Sequence, residues 1–151
     1  MNPAFSAAPG SAQLRRELLA AAAEAAAQGR GPYSTLKVGA AVLSGAGHLY
    51  RGCNVENAAY PLGGCAETAA LAAGVLAEGD AFRVAEAAVW ALDGEGRQLP
   101  ISPCGGCRQR ISELAAGPDV LVHFCWPATE CCSMRIADLL PCAFALPQPA
   151  G

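Results

Sequence analysis

Three cysteines and one glutamate carry the clearest chemical signal in this sequence. Cys104 and Cys107 stand three positions apart at the predicted start of a helix, so both sulfurs can reach one metal ion. The amino terminus of a helix also favours the thiolate form that binds metal. Such a pair by itself also fits a structural zinc site or a redox pair, so its interpretation depends on further ligands.

Cys65 is the candidate third ligand, at the head of an earlier predicted helix. Three protein ligands leave a fourth position for water, which is the composition of a catalytic zinc site. Glu67 follows two positions later, and its side chain leaves the first turn on a different side. A carboxylate there can stand beside the metal without binding it and shuttle the proton of the water. Together with Pro103-Cys104-Gly105-Gly106-Cys107, this matches the known zinc deaminase signature and predicts one Zn²⁺ per chain.

Hydrophobic periodicity and turn residues predict the elements that must position these side chains. Helices are predicted from residue 11 to a stop at Gly29, over 65–78, from 104 to a stop at Gly117, and over 134–140. Strands are predicted over 37–43, 48–53, 84–92 and 120–125, with a possible fifth near Cys131. Because helices and strands alternate, we expect an α/β layered domain with a mixed sheet.

Composition narrows the class of function. The chain has 151 residues, of which 53% are hydrophobic and 15% are charged, and this suits one domain with a filled core. We expect a loose leader at 1–10, a single domain at 11–146 and a tail at 147–151. The net charge of −3 and the lack of a basic stripe argue against nucleic acid as a partner.

Charged side chains break up the alanine-rich start of the chain, so we expect neither a secretory signal nor a membrane partner. This predicts a cytoplasmic location, where thiols and metal ligands are commoner than disulfides. The cysteines outside the zinc pattern are therefore expected to be packed or free thiols; they are Cys53, Cys125, Cys131, Cys132 and Cys142. A second metal site formed by Cys125, Cys131 and Cys132 stays open as an alternative.

Several further motifs stand in the order and spacing of one family. They are Pro32-Tyr33-Ser34, Val38-Gly39-Ala40-Ala41, Gly52-Cys53-Asn54-Val55-Glu56-Asn57-Ala58-Ala59-Tyr60-Pro61, Cys65-Ala66-Glu67, Ser102-Pro103-Cys104-Gly105-Gly106-Cys107-Arg108-Gln109 and Leu139-Leu140-Pro141-Cys142-Ala143-Phe144. On these motifs the sequence resembles the small, homotetrameric, three-cysteine cytidine deaminases. The resemblance implies a three-layer α/β/α domain with a mixed sheet of about five strands. It also implies zinc-dependent hydrolytic deamination of cytidine and deoxycytidine to the uridine forms, as in pyrimidine salvage.

The same resemblance implies roles for single residues. Cys65, Cys104 and Cys107 match the zinc ligands, and Glu67 matches the catalytic glutamate. Substrate contacts are implied for Asn54 and Glu56 at the ribose hydroxyls, the backbone of Ala66 at the pyrimidine carbonyl, and Ala58, Tyr60 and Phe144 in a neighbouring subunit's site. The expected partners are thus a nucleoside and three further copies of the chain, which share their active sites.

Two positions depart from the family's usual pattern. Leu36 stands where an aromatic residue usually stacks on the pyrimidine; it can pack against a ring face but offers no aromatic stacking. Thr68 stands where three-cysteine members usually carry arginine. Three thiolates on Zn²⁺ sum to −1 and a bound hydroxide makes −2, so nearby positive charge should lower the cost of that hydroxide. We expect Arg108 and two helix amino termini to supply it.

Other functions remain open at this stage. Leu36 and Thr68 suggest a deaminase of another aminopyrimidine nucleoside, such as a blasticidin-type antibiotic, although Asn54 and Glu56 suit a ribose. A noncatalytic zinc-stabilised module would have a fourth protein ligand and would not need Glu67. A polynucleotide deaminase would need a charged channel for the strand.

Overall fold

The computed structural model describes residues 8–147, in which helices lie on both faces of one mixed sheet. The helices are α1 (Ala12–Ala27), α2 (Ala66–Glu78), α3 (Gly105–Leu114) and α4 (Ile136–Leu139). The strands are β1 (Lys37–Ser44), β2 (Leu49–Cys53), β3 (Val84–Leu92), β4 (Gln98–Leu99), β5 (Leu121–Cys125) and β6 (Cys131–Arg135). Two 3-10 turns, Tyr60–Leu62 and Gly79–Ala81, flank α2.

The sheet has the strand order β2-β1-β3-β5-β6, and β4 pairs with the end of β3. Only the β3–β5 pair is parallel among the named strands of the described chain, and the other neighbours are antiparallel. The expected mixed α/β sheet is therefore confirmed, with six strands where about five were expected. The extra strand, β4, has two residues, too few to show the alternation from which a strand is predicted.

Two apolar clusters, one on each face of the sheet, form the core. On one face α1 packs through Leu14 and Leu18 against Ala41, Leu43 and Ala88. On the other face α2, α3 and α4 cover the strands; this cluster includes Ala40, Val42, Ala70, Leu71, Phe82, Ala87, Ile111, Val122, Phe124, Ile136 and Leu139. The layers are therefore helix, sheet and helix, as the resemblance implies.

Two glycines let helices approach the sheet closely. A Cβ built on Gly39 of β1 would collide with the backbone of α1. A Cβ built on Gly52 of β2 would collide with the carbonyl oxygen of Ala66 and the backbone nitrogen of Ala70. The first turn of α2 therefore rests directly on β2, two residues before Asn54.

The end of the chain differs from its predicted elements. Residues 134 and 135 were predicted as the start of a helix but complete β6, because Met134 and Arg135 pair with Val122 and Leu121 of β5. The helix α4 therefore begins at Ile136. Of the predicted leader and tail, residues 1–7 and 148–151 lie outside the described residues. No helix within residues 8–147 has both the length and the apolar character that crossing a bilayer requires.

The expectation of unpaired thiols is wrong at the β5–β6 edge. Cys125 and Cys131 form a disulfide between these strands, where the ladder places them opposite each other. A three-cysteine metal site with Cys132 is therefore excluded, because two of its thiols are used. The spacing of five residues between the two cysteines gave no sign of this pairing, since it depends on the strand register.

Candidate active site

The three cysteines of the zinc pattern meet at the amino termini of two helices. Cys65 caps α2, Cys104 caps α3, and Cys107 lies in the first turn of α3. Their Sγ atoms all lie within 4.8 Å of one another. No fourth cysteine, histidine or carboxylate joins this group within residues 8–147. The site therefore has three protein ligands and room for one more.

Local hydrogen bonds and burial set the pKa values of these thiols. Burial raises the pKa of Cys107, which is completely buried, and the nearby carboxylate of Glu67 raises it further. Burial also opposes ionisation of Cys104, but hydrogen bonds with the backbone N–H and side chain of Cys107 and with Cys65 together outweigh it and leave the pKa of that thiol below its ordinary value. Three thiols grouped this closely fit a soft divalent metal such as Zn²⁺.

Glu67 lies beside the cysteines but outside the ligand group. Its residue is 5% exposed, and burial raises the pKa of its carboxyl above the ordinary value, although hydrogen bonds and a positive charge oppose this. The Cys107 side chain is a hydrogen-bond partner of this carboxylate. A buried carboxyl with a raised pKa next to a metal site can both accept and return a proton.

One cavity of about 300 Å³ opens directly onto these groups. Its walls come from the loop before β1, from the segment after β2 and from the starts of α2 and α3. The lining residues are Leu36, Val38, Asn54, Val55, Glu56, Gly63, Gly64, Cys65, Ala66, Glu67, Ile101, Ser102 and Cys104. The structure thus brings seven of the sequence-predicted site residues to a single cavity: Leu36, Asn54, Glu56, Cys65, Ala66, Glu67 and Cys104.

Asn54 lies 9% exposed in the wall of this cavity. Its Oδ1 accepts a hydrogen bond of 2.8 Å from the backbone N–H of Val38, and its Nδ2 donates one of 2.9 Å to the carbonyl of Leu36. The carboxamide keeps one N–H and one lone pair for other partners. Asn54 therefore holds the backbone of Leu36 and Val38 in the cavity wall, and its remaining N–H and lone pair can still bind a hydroxyl.

Glu56 is held by the turn that precedes β1. The backbone N–H groups of Tyr33 and Ser34 donate to its Oε2 at 2.9 and 3.2 Å, and the Ser34 hydroxyl donates to its Oε1. The Ser34 hydroxyl and the Tyr33 N–H together lower the pKa of Glu56. The side chain is therefore an ionised acceptor at neutral pH, fixed in position at the edge of the cavity.

Leu36 forms part of the cavity wall after a strained turn. Thr35 has φ of 62°, a left-handed conformation that a β-branched side chain disfavours at a cost of about 1–3 kcal/mol. Its N–H donates to the carbonyl of Gly31 at 2.9 Å, which closes the turn. The half-buried Leu36 side chain lines the cavity where the family usually carries an aromatic residue.

The guanidinium of Arg108 makes hydrogen bonds with groups other than the thiols. Its Nε donates to the carbonyl of Pro103 at 2.8 Å, and its Nη1 donates to the carbonyl of Leu139 at 3.2 Å. The side chain thus ties the loop before Cys104 to α4. Its guanidinium is directed to backbone carbonyls, so the expected source of compensating charge is not supported by the contacts.

Ala58, Tyr60 and Phe144 lie outside the cavity of their own chain. The side chains of Tyr60 and Phe144 are 76% and 68% exposed. Tyr60 lines an adjoining cavity of about 410 Å³, which shares Glu56 and Gly63 with the first. The structure therefore does not bring these three residues onto the cysteine cluster within one chain.

Some residues at the site gave no clear signal in the sequence. Ile101 and Ser102 line the cavity just before the Pro-Cys-x-x-Cys motif. Gln109 donates to the carbonyl of Phe144 at 2.8 Å and accepts from its N–H at 3.2 Å, so it holds the segment after α4. The only signal for Ile101, Ser102 and Gln109 was that they lie in or beside a recognised motif. Their contacts join segments that are distant in sequence, so local patterns could not predict them.

Comparison with known proteins gives one consistent result. A family model described as the cytidine and deoxycytidylate deaminase zinc-binding region matches residues 12–125. A cytidine deaminase from Sporosarcina psychrophila is 40% identical over 131 residues, which cover 85% of this chain and 90% of that protein. A cytidine deaminase from Mycobacterium tuberculosis is 41% identical over 125 residues, covering 83% and 85%.

Solved structures agree with these sequence relatives. The crystal structure of cytidine deaminase from Burkholderia pseudomallei superposes with a TM-score of 0.72 at 39% identity and covers 85% of this chain and 98% of that one. Cytidine deaminase from Mycobacterium tuberculosis superposes with a TM-score of 0.69 at 40% identity, covering 87% and 97%. The likeness therefore extends over the fold and the cavity-forming segments.

Proposed function

The chain belongs to the zinc-binding cytidine and deoxycytidylate deaminase family, and on that basis we propose that it hydrolyses cytidine and deoxycytidine to uridine and deoxyuridine. The reaction consumes one water and releases one ammonia. The observation that carries this proposal is the shared cavity, which joins a three-thiol metal site and a buried carboxyl to two polar side chains suited to a sugar.

Cys65, Cys104 and Cys107 would hold one Zn²⁺ per chain. When bound, the metal lowers the pKa of a water molecule enough for it to attack at neutral pH. The open fourth position of the ligand group supports a catalytic site over a noncatalytic structural one, because structural zinc sites are closed by four protein ligands.

Glu67 would handle the protons of the reaction. Its carboxylate accepts a proton from the attacking water and delivers it to the ring nitrogen next to C4 of the pyrimidine. It then helps to protonate the departing amine, which leaves as ammonia. Burial raises the pKa of Glu67 above its ordinary value, and this supports a role in proton transfer.

Asn54, Glu56 and Leu36 would hold the nucleoside in place. The ionised Glu56 accepts hydrogen bonds from ribose hydroxyls, and the free capacity of the Asn54 carboxamide binds the same sugar. The side chain of Leu36 packs on the face of the base, and the backbone of Ala66 at the start of α2 contacts the pyrimidine carbonyl.

We further propose that the chain works as a homotetramer with shared sites. The large exposed fractions of Tyr60 and Phe144 support this, because apolar rings at these positions need a covering surface. Ala58 and Tyr60 would reach a neighbouring subunit's cavity, and Phe144 would help to close one. Closed symmetric assemblies are the common way to complete such surfaces.

The second candidate, a deaminase of a blasticidin-type nucleoside, is not favoured by the relatives, which are cytidine deaminases. An ultraviolet turnover assay on cytidine, deoxycytidine, cytosine and blasticidin S distinguishes the two. We expect turnover of both nucleosides, with free cytosine much slower because it lacks the sugar. Turnover of blasticidin S alone, by folded protein with full zinc, would contradict the proposal.

A further inference from the structure

The amino termini of α2 and α3 offset part of the negative charge of the proposed metal site, but none of the charged side chains discussed so far does. Three thiolates and one Zn²⁺ sum to −1, and the ionised form of Glu67 adds another negative charge. Thr68, which follows Glu67 on α2, is neutral. Arg108 spends its hydrogen bonds on backbone carbonyls and on Ser102.

Arg110 of α3 is folded back over the first turn of its own helix. A Cβ built on Gly106 would lie 3.0 Å from its Nη1, so the guanidinium lies over the first turn of α3. That turn carries Cys107 and is capped by Cys104. The absence of a side chain at Gly106 leaves the space that the guanidinium occupies.

The surroundings of Arg110 offer it no other strong partner. Glu113 lies three positions later on the same helix, the usual spacing for an ion pair. Yet within the described part of the chain Arg110 makes no hydrogen bond or ion pair with it or with any other carboxylate. Arg110 and Thr68 instead line the same groove between α2 and α3.

Arg110 also lies close enough to Glu67 for its positive charge to act on that carboxylate. Glu67 stands beside the cysteine cluster, at the start of the neighbouring helix α2.

We propose that Arg110 is a positioning residue of the metal site, whose guanidinium offsets the negative charge of the zinc thiolates from the space left by Gly106 and Thr68. The inference rests on the zinc site of the proposed function. Arg110 touches neither substrate nor reacting atoms, and it acts by lowering the free energy of the metal-bound thiolates. Removal of its charge should therefore speed zinc release without unfolding the chain.

Zinc release to a chromogenic chelator tests this without any turnover. Four forms are compared: the zinc-loaded parent, Arg110→Gln, Arg110→Lys and the double variant Thr68→Arg with Arg110→Gln. Arg16→Gln is the matched control, because Arg16 is an exposed arginine of α1 on the opposite face of the sheet. Circular dichroism and melting temperature verify that each form is folded.

We expect Arg110→Gln to release zinc roughly tenfold faster than the parent. Loss of a residue that supports metal ligands costs about 10–100-fold in metal affinity, and the exposed side chain of Arg110 places the expected effect at the low end of that range. The difference in release rate between Arg110→Gln and the parent should shrink at high salt, because screening weakens the effect of the Arg110 charge in the parent. Arg110→Lys should retain part of the effect, and Thr68→Arg should restore slow release. Release equal to that of Arg16→Gln would overturn the inference, as would faster release that neither salt nor Thr68→Arg alters.

The outcome is separable from that of the proposed function. If Arg110→Gln releases zinc faster but the parent does not deaminate cytidine, the charge role of Arg110 stands and the assigned substrate is wrong. If the parent deaminates cytidine, Arg110→Gln should also lower kcat more than it raises KM, because the sugar contacts are untouched.

Discussion

The carboxamide of Asn54 donates a hydrogen bond of 2.9 Å to the carbonyl oxygen of Leu36. The residue proposed for the sugar therefore also holds in place the residue proposed for the base. Because this hydrogen bond holds the backbone at residue 36, a new side chain there starts from the same position in the cavity wall. A substitution of Leu36 therefore changes the contact proposed for the base and leaves the wall in place. This makes Leu36 a direct probe of the shape of the cavity.

Leu36→Phe should improve the use of cytidine. An aromatic pair adds about 0.5–1.5 kcal/mol beyond burial, which corresponds to a rise in kcat/KM of roughly twofold to tenfold. Steady-state kinetics on cytidine measures this, with Leu62→Phe as the control because Leu62 is 72% exposed outside the cavity. A loss of kcat/KM confined to Leu36→Phe would show that the cavity has no room for the ring.

Glu67→Gln should retain zinc and fold but lose turnover. Acid–base help contributes about 10²–10⁴-fold, and this carboxyl would move more than one proton, so we expect a loss at or beyond the upper end. Zinc content and kcat are measured on the same sample. Glu95→Gln, an exposed carboxylate in the turn after β3, serves as the control. Near-parent turnover of Glu67→Gln would refute the proton role.

Cys104→Ala should lose zinc and melt at a lower temperature. A ligand present at 1,000 times its Kd stabilises the native state by about 4 kcal/mol, so removal of a metal ligand costs stability as well as activity. Elemental analysis and calorimetry provide the two readouts. Cys142→Ala is the matched control, since Cys142 is an exposed free thiol outside the cluster. Full zinc in Cys104→Ala would rule out its assignment as a ligand.

Stability should fall as the pH drops below about 6.5, through the buried His123. Its Nε2 lies 2.8 Å from Glu86, yet burial outweighs this and lowers the pKa of His123 below the value of 6.5 for a free side chain. The unfolded chain therefore binds a proton before the folded chain does, and acid favours unfolding.

Urea midpoints at pH 8 and pH 5.5 measure this effect. His123→Gln removes the titrating group. Its urea midpoint should therefore fall less between pH 8 and pH 5.5 than the midpoint of the parent does. His48→Gln is the control, because the side chain of His48 is 48% exposed. An identical pH dependence in the parent and His123→Gln would contradict the prediction.

The proposed homotetramer predicts complementation between two inactive chains. Sedimentation at micromolar concentration should give four copies of 15.3 kDa. Glu67→Gln supplies an intact Phe144, and Phe144→Ala supplies an intact Glu67, so a mixture refolded together should be more active than the mean of the separate variants. A monomer in sedimentation, or a mixture with only the mean activity, would argue against shared sites.

Elements whose apolar pattern and boundary residues lie within the element itself could be predicted from the sequence. The strand predicted at 84–92 coincides with β3, because its run of apolar residues is bounded by turn residues. The starts of α2 and α3 were predicted from Cys65 and Cys104, which cap these helices. Helix caps depend on local sequence, so both helix starts could be predicted. The match of the motifs to a known zinc pattern then predicted that the three cysteines lie together.

Features that depend on strand register or on distant contacts were missed. The disulfide between Cys125 and Cys131 follows from their opposite positions in the β5–β6 ladder. The orientation of Arg108 toward backbone carbonyls and of Arg110 toward Gly106 depends on how α3 packs. No residue type or spacing in the sequence distinguishes which of the two arginines folds back over the first turn of α3.

Gly52 sets how closely the first turn of α2 approaches β2. Because β2 has no side chain at this position, the backbone of Ala66 in the first turn of α2 lies against the strand that leads into Asn54. A methyl group there would act as a spacer and push Cys65 away from the sugar side of the site. The separation of Cys65 from Asn54 is thus set beneath the helix, by a residue that lines no part of the cavity.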